Sequence, residues 1–392
     1  MAEPRPLAGI RVLDLSEVVA GPIVGRMLAD LGADVVKVER PSGDTTRIVT
    51  PEVGGQSVYF AQLNAGKRNI CLDLRDPTAA ALVARLAERV DVLIENFRPG
   101  VLDKRGLGAR ALRARNTRLI YCSISGWGQS GPWAQRRAYA PLIHAETGLL
   151  ELSARLRRRA PEQEVHVHAD LNTGFFALSA ILAALYQRSV SGLGQHLDVA
   201  MAEVSAYTDD WAAVDCVGSD EDRLFDIWNH PVVRLADGSY ATLVGNRSRM
   251  FERFIDAMGG DATATRDDAR LVDYESREAN RALVDEILQQ HAATVADFAT
   301  LDARFEAAGI MTAPLRSIRD LSTTPWATER DAFHEIEPGV RVPTAPWRSD
   351  GATIGVRGSA ARRGSDTEAV LREMLDLDDD EIERLRAAHI WE

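Results

Sequence analysis

The sequence predicts an α/β protein: a large Rossmann-like domain built on a parallel sheet, joined to a smaller α+β domain. Three observations carry this expectation. Apolar β-runs alternate with segments of helical period through the first third of the chain, the pattern of a doubly wound sheet. At 392 residues and 45% hydrophobic content, the chain exceeds the length at which a single core stops growing. Its texture then changes after Gln187, where alternation gives way to shorter, more mixed elements.

The opening reads as strand, turn, helix and strand. GIRVLDLS is a β-run, VVAGPIVGRMLADLGA turns into a small-residue helix, and DVVKVERP is a second β-run stopped by Pro41. A unit of this length favours parallel pairing with a right-handed crossover. NICLDL, the helix TAAALVARLAERV, DVLIENF and LIYCSISGWG extend the sheet. Ligands of such sheets gather beyond the carboxyl ends of the strands, which singles out the loops after Leu15, Val38, Asn96 and Ser125. Next, EVHVHAD alternates as a half-buried strand does, and LNTGFFALSAILAALYQ continues as a helix apolar on nearly every side.

SGLGQHLDVAMAE predicts a turn, a short strand and a helix start, followed by irregular chain to about Pro231. Beyond it, Asp237-Gly238 signals a hairpin, with an amphipathic helix after it. DTEAVLREMLDLDDDEIERLRAAHIW reads as two helices, the second capped from DLDDDE. The expected division is residues 1–224 for the first part of the large domain, 225–330 for the small domain, and 331–392 for a segment returning to the large one.

A formal charge of −12 argues against a nucleic-acid surface, so an anionic ligand must find a local basic pocket. Cys71, Cys122 and Cys216 lie far apart, without disulfide or zinc spacing, as suits a reducing cytoplasm. The N-terminus lacks a signal-peptide run and no segment reads as long enough for a membrane span. The expectation is a cytoplasmic protein with neither nucleic-acid nor membrane partners.

Few segments could carry chemistry. Asp170 stands between the β-run and the helix. It is either an N-cap, worth about 1 kcal/mol, or an ionised carboxylate beside the small Gly174, reachable by an electrophile for covalent catalysis. ENFRPGVLDKRGLG places Arg98, Lys104 and Arg105 near one strand end, with Phe97 as an aromatic face for a base. Lys67 and Arg68 directly precede another strand. The glycines of GWGQSGP let backbone approach a ligand but form no dinucleotide fingerprint, and Pro22 disrupts one in the first turn. His166 and His168 are too close together for a zinc site, so no metal is expected. His144 reads more readily as a packed histidine than as a base.

The order of these segments is more specific than any one of them. LAGIRVLDLSEVVAGPIVGRMLADLGADVVKVERPSGD, NAGKRNICLDL, DVLIENFRPGVLDKRGLG, SISGWGQSGP, the Asp170 helix and SGLGQHLDVAMAE together resemble the class III CoA-transferases. AGIMTAPLRSIRDLSTTP and DTEAVLREMLDL extend the likeness over the whole chain. The resemblance implies an intertwined homodimer of interlocked chains. It implies coenzyme A and acyl-CoA as substrates rather than a permanently bound cofactor, with CoA passed to a free carboxylic acid. By motif position Asp170 would be the nucleophile, passing through an acyl-aspartyl anhydride, an aspartyl-CoA thioester and a second anhydride. Arg40, Asn96, Phe97, Arg98 and Lys104 stand where the family holds adenine and phosphates, and Val18 and Ala20 where its first turn meets the CoA chain.

One departure separates the family's branches. Its racemases pair the aspartate with a histidine in a Gly-His-Asp segment; here RRAYAPLIHAETG stands instead, with Tyr139 nearest that place and His144 five residues later. A 2-methylacyl-CoA racemase is therefore the alternative, and a non-catalytic CoA-binding protein the reading from another class. Arg136 and Arg137 suit the second carboxylate of a dicarboxylic acid, and Gly245 is the one glycine placed for the family's flap.

Overall fold

The structure, a computed structural model, describes residues 4–157, 159–217 and 230–391. Contacts divide the chain into one unit of residues 1–213 and 325–392 and a second of residues 214–324. The expected boundary at 224/225 lies outside the described residues.

In the first unit, β1 (Arg11–Asp14) leads through α1 (Ala20–Asp30) to β2 (Asp34–Glu39). A small hairpin of β3 (Glu52–Val53) and β4 (Gln56–Ser57) and helix α2 (Val58–Asn64) precede β5 (Arg68–Cys71). Helix α3 (Pro77–Ala87), β6 (Val92–Glu95), α4 (Ala109–Arg115) and β7 (Ile120–Ser125) follow. After α5 (Ala140–Glu146), α6 (Leu149–Arg157) and the long α7 (His168–Ser191), β8 (His196–Ala200) closes the sheet and α8 (Met201–Thr208) leaves it. The six strands are all parallel, in the order β5-β2-β1-β6-β7-β8. Burial on both faces explains the near-continuous apolar runs.

Neighbouring residues of one strand serve opposite cores. Leu13, Val36, Ile70 and Leu93 pack with α3 and with Val370, Leu371 and Met374 of the C-terminal segment. Val12, Val35, Val92 and Ile120 pack with α1 and with Ala177, Leu178 and Ile181 of α7. The C-terminal segment also reaches edge strand β5: Asp366 Oδ2 accepts the Asn69 N–H at 2.8 Å and Thr367 Oγ1 the Cys71 N–H at 3.1 Å. Helix Asp379–Ala387 carries the expected cap, Asp378 and Glu381 forming a capping box.

Two expectations around α7 need correcting. Residues 161–167 form no strand, and Val165 is 88% exposed. The alternating valines find no neighbouring strand edge, and period-2 patterning without a partner remains coil. At 24 residues α7 is also long and apolar enough to cross a membrane. Its buried face packs in the core with α1 and the sheet, while Phe175, Tyr186 and Val190 of the same helix are exposed. Gly174 permits the contact with α1, since a Cβ there would meet Ile23 Cγ2 at 2.3 Å and Ala20 O at 3.2 Å.

In the second unit, β9 (Val232–Arg234), β10 (Tyr240–Leu243) and β11 (Thr312–Pro314) form an antiparallel sheet in the order β11-β10-β9. Asp237-Gly238 makes the predicted hairpin, Gly238 at φ +86°. Helices including Phe251–Ala257 and Phe298–Ala307 cover the sheet, with Phe254 stacked on Phe305.

Candidate active site

Strand order reverses between β1 and β6, because connections from β1 run outward one way to β2 and β5 and those from β6 the other way to β7 and β8. Such a reversal leaves a crevice beyond the strand ends. The loops after β1 and β6 meet there. Asn96 Oδ1 accepts the Glu17 N–H at 2.8 Å, and its Nδ2 donates to Glu17 O at 2.7 Å. Two residues share the task of holding the first turn: Lys37 Nζ donates to Ser16 O at 2.7 Å, and Asp44 accepts the Val18 N–H at 3.2 Å. Val18 is thereby held at φ +70°, a strained conformation for a β-branched residue.

A cavity at this crevice brings together Val18, Ala20, Asn96, Phe97, Arg98, Tyr139 and Asp170, seven of the positions singled out in the sequence. Asp170 is not the N-cap of α7. Val167 holds that place, with Asp170 third in the helix, so its carboxylate is released from capping. Burial pushes the Asp170 carboxyl up to about 6, against hydrogen bonds from the backbone N–H groups of Ala20, Asp170 itself and Ala140. Two of those donors open α1 and α5, whose first N–H groups have no partner within their own helices. Gly174 is packed on Ile23 rather than left open beside the carboxylate.

The remaining candidates fall elsewhere. Arg40 is exposed, 3.5 Å from Glu17. Lys104 is exposed on the short helix Asp103–Arg105 that follows the β6 loop. Lys67 is buried, and its Nζ donates at 2.8 Å to each of Asp14 Oδ2, Pro22 O and Asn64 Oδ1. All three of its donors are used internally, which leaves none for a phosphate. Desolvation, only partly opposed by Asp14, lowers its pKa to about 8. Arg137 is exposed, and it is Arg136 that lines the cavity, ion-paired with Glu146 and lying over the rings of Trp127 and Trp133. Gly245 belongs to the second unit, where its N–H donates to His230 Nδ1.

His144 does not line the Asp170 cavity. It borders a different one, with His168, Asn172 and Ser205. Its Nε2 accepts the Ala169 N–H at 3.1 Å, and burial, then the neighbouring His168, lowers its pKa. A neutral ring whose Nε2 is engaged with backbone is the packed histidine of the sequence reading.

Sequence reasoning missed two residues here. Tyr59 of α2 stands close enough to Asp170 that burial and then the carboxylate raise its phenol pKa; nothing in VYFAQLN signals this, because α2 reaches the site only through the fold. Ser125 lines the cavity, and its buried hydroxyl has no hydrogen-bond partner among the described residues; its place at the end of β7 was the available signal. Among the described residues no His, Cys, Asp or Glu cluster could hold a metal.

Comparison with known proteins gives a consistent result. The profile of CoA-transferase family III matches residues 7–367. The chain is 35% identical over 368 residues to a succinate–glutarate CoA-transferase of Agrobacterium fabrum, covering 86% of this chain and 88% of that one. It is 33% identical to an acetyl-CoA:oxalate CoA-transferase of Acetobacter aceti, covering 89% and 91%. A crystal structure of a CAIB/BAIF family protein from Brucella suis superposes with a TM-score of 0.83 at 31% identity, covering 95% of this chain and 100% of that one.

Proposed function

The chain belongs to CoA-transferase family III and is a transferase that moves CoA from an acyl-CoA thioester to a free carboxylic acid; from that premise we propose that Asp170 is the nucleophile that carries the acyl group. The observation that supports this is a desolvated carboxylate, freed from capping, set among backbone donors in the crevice cavity.

In this reading an Asp170 Oδ attacks the thioester carbonyl, the C–S bond breaks, and CoA leaves as thiolate with an acyl-aspartyl anhydride in place. The thiolate then attacks the aspartyl carbonyl, releasing the donor acid and leaving an aspartyl-CoA thioester. An incoming carboxylate attacks that thioester to give the second anhydride and free thiolate. Finally the thiolate takes the new acyl group and Asp170 is restored. The backbone N–H groups of Ala20 and Ala140 are placed to stabilise charge on the aspartyl oxygen as each tetrahedral adduct forms. Arg98 and Lys104 supply charge-assisted contacts to the CoA phosphates, and Val18 and Ala20 the backbone along its chain. CoA enters as substrate and no resident cofactor is needed, since the carboxylate itself performs the exchange.

The acceptor is a dicarboxylic acid, in keeping with the succinate, glutarate and oxalate of the relatives' names. Arg136 is the cavity cation suited to its second carboxylate. The protein works as a homodimer in the cytoplasm. Racemisation is disfavoured because His144 is engaged with the Ala169 N–H and lines another cavity, which leaves Asp170 without a histidine partner for a shuttled proton.

The test is incubation with an acyl-CoA and hydroxylamine, followed by peptide mass analysis. A hydroxamate on Asp170 is expected. Turnover at the native rate, with a modified peptide elsewhere or none, overturns the assignment.

A further inference from the structure

Glu95 ends β6 and is only 5% exposed, in a strand otherwise built of Val92, Leu93 and Ile94. An apolar residue would continue that strand more cheaply, since a carboxylate taken from water without a cation is costly. No salt bridge joins Glu95 to a cation among the described residues. The groups around it are Ser123, Tyr121 and Cys122 on β7, with the carboxylates of Asp103 and Asp198, so burial pushes its pKa up to about 7.

What the carboxylate does is local. Its Oε2 accepts the Phe97 N–H at 2.8 Å, and Ser123 hydrogen-bonds to the same carboxyl group. Ser123 Oγ is itself 2.9 Å from His196 Nε2 on β8. This chain of contacts runs beneath the sheet's carboxyl end and terminates on the loop that supplies Asn96, Phe97 and Arg98 to the cavity. The next residue, Asn96, ties the loop to the backbone of Glu17. Between them, the two side chains fix the loop at successive positions, one from below and one from the neighbouring turn.

We infer that Glu95 is a positioning residue for CoA recognition, its carboxylate holding the Phe97 N–H so that Phe97 and Arg98 are set in place before the nucleotide arrives. The inference rests on the reading above that this loop receives the nucleotide end of CoA. Preorganisation of this kind acts on binding of one substrate: the ordering cost falls on the CoA ester when the hold is lost, and on nothing else in the cycle.

The experiment compares Glu95→Leu, Glu95→Gln and Arg98→Ala. Leucine fills the space and suits the strand but cannot accept the N–H; glutamine retains an acceptor oxygen. Glu95→Leu is expected to raise the KM for the acyl-CoA about tenfold while kcat and the KM for the acid stay within about twofold, and Glu95→Gln to restore the native KM. An unchanged acyl-CoA KM in Glu95→Leu, or an equal change in every constant, overturns the inference. If Arg98→Ala also leaves that KM untouched, the nucleotide reading of the loop fails; if Arg98→Ala raises it, the positioning role alone fails. A readout on the native protein stands beside these. The Phe97 amide should be protected from hydrogen exchange before CoA is added, and free exchange there overturns the inference whether or not the variants fold.

Discussion

Asn96 closes a two-point clamp on Glu17, accepting its N–H at 2.8 Å and donating to its carbonyl at 2.7 Å. The clamp joins the two loops on either side of the strand reversal. It also holds the turn that presents Val18 and the Ala20 N–H to the site. Asn96→Ala should remove both bonds, about 1–2 kcal/mol of stability. It should also lower kcat/KM by about tenfold or more, because Val18 is then free to leave its strained φ. Thermal melting with steady-state kinetics checks both effects. A variant with native kinetics would mean the turn holds its shape without the clamp.

Replacing the proposed nucleophile should give the largest effect. Asp170→Ala should reduce kcat by about 10³-fold or more, since an obligatory covalent step is lost, and should leave CoA binding nearly intact. Single-turnover assays and calorimetry of CoA binding measure the two separately. Turnover within about tenfold of native contradicts the role.

In the proposed role, Asp170 should also set the pH dependence. Attack requires the ionised form, and with its carboxyl pushed up to about 6 the group is about nine-tenths ionised at pH 7. The rate constant kcat/KM should therefore fall as pH drops through about 6, by about tenfold for each further unit. Stability moves the other way. A carboxyl raised above its unfolded value is held in its protonated form more tightly by the folded state, so stability is lost as pH rises from about 4 to about 6. Rate and melting profiles across that range test the sign of each.

The basic residues should separate into two classes. Lys67→Met strips the cation from buried Asp14 and should cost about 3–5 kcal/mol of stability. Arg98→Ala should leave the melting temperature alone and weaken acyl-CoA binding, by an amount that shrinks as salt rises. Melting curves and binding isotherms at two ionic strengths distinguish them. A salt-sensitive loss of CoA affinity in a folded Lys67→Met would return that lysine to the ligand.

Exchange at the substrate's α-carbon tests the branch of the family. A 2-methylacyl-CoA incubated in heavy water should acquire no α-deuterium, because no histidine lines the described cavity with Asp170 and His144 borders another. Rapid deuterium uptake without CoA transfer to any acid would favour the racemase.

The sheet was legible because its information is local. Buried parallel strands such as VLIE and IYCSIS announce themselves as apolar runs, and Asp237-Gly238 specifies its own turn. The strand order and its reversal came only with the structure, and they single out the loops carrying Glu17 and Asn96. The failures were all questions of partnership. EVHVHAD has the alternation of a strand and no edge to join, Lys67 has the charge of a phosphate ligand and three internal acceptors, and Asp170 has the chemistry of a cap but sits third in its helix. Tyr59 lies over a hundred residues from Asp170 in sequence, and no local pattern foretells their electrostatic contact.

The seam between Asp366–Glu373 and β5 has a consequence for how the protein is made. Arg68 pairs with Glu373 at 2.7 Å, and Asp366 and Thr367 supply acceptors to N–H groups of that strand. A nascent chain has already released β1, β2 and β5 from the ribosome long before these partners exist. Until the segment beyond Asp366 is made, one flank of the sheet is without its cover, and Leu82, Val83 and Leu86 lack the Val370, Leu371 and Met374 side chains that share their core. Folding of the larger unit thus waits for the segment from Asp366 onward, and chaperone dependence should track that segment more closely than the first hundred residues. A stop codon placed just before Asp366 should yield an aggregating product, even though it removes none of the cavity's residues.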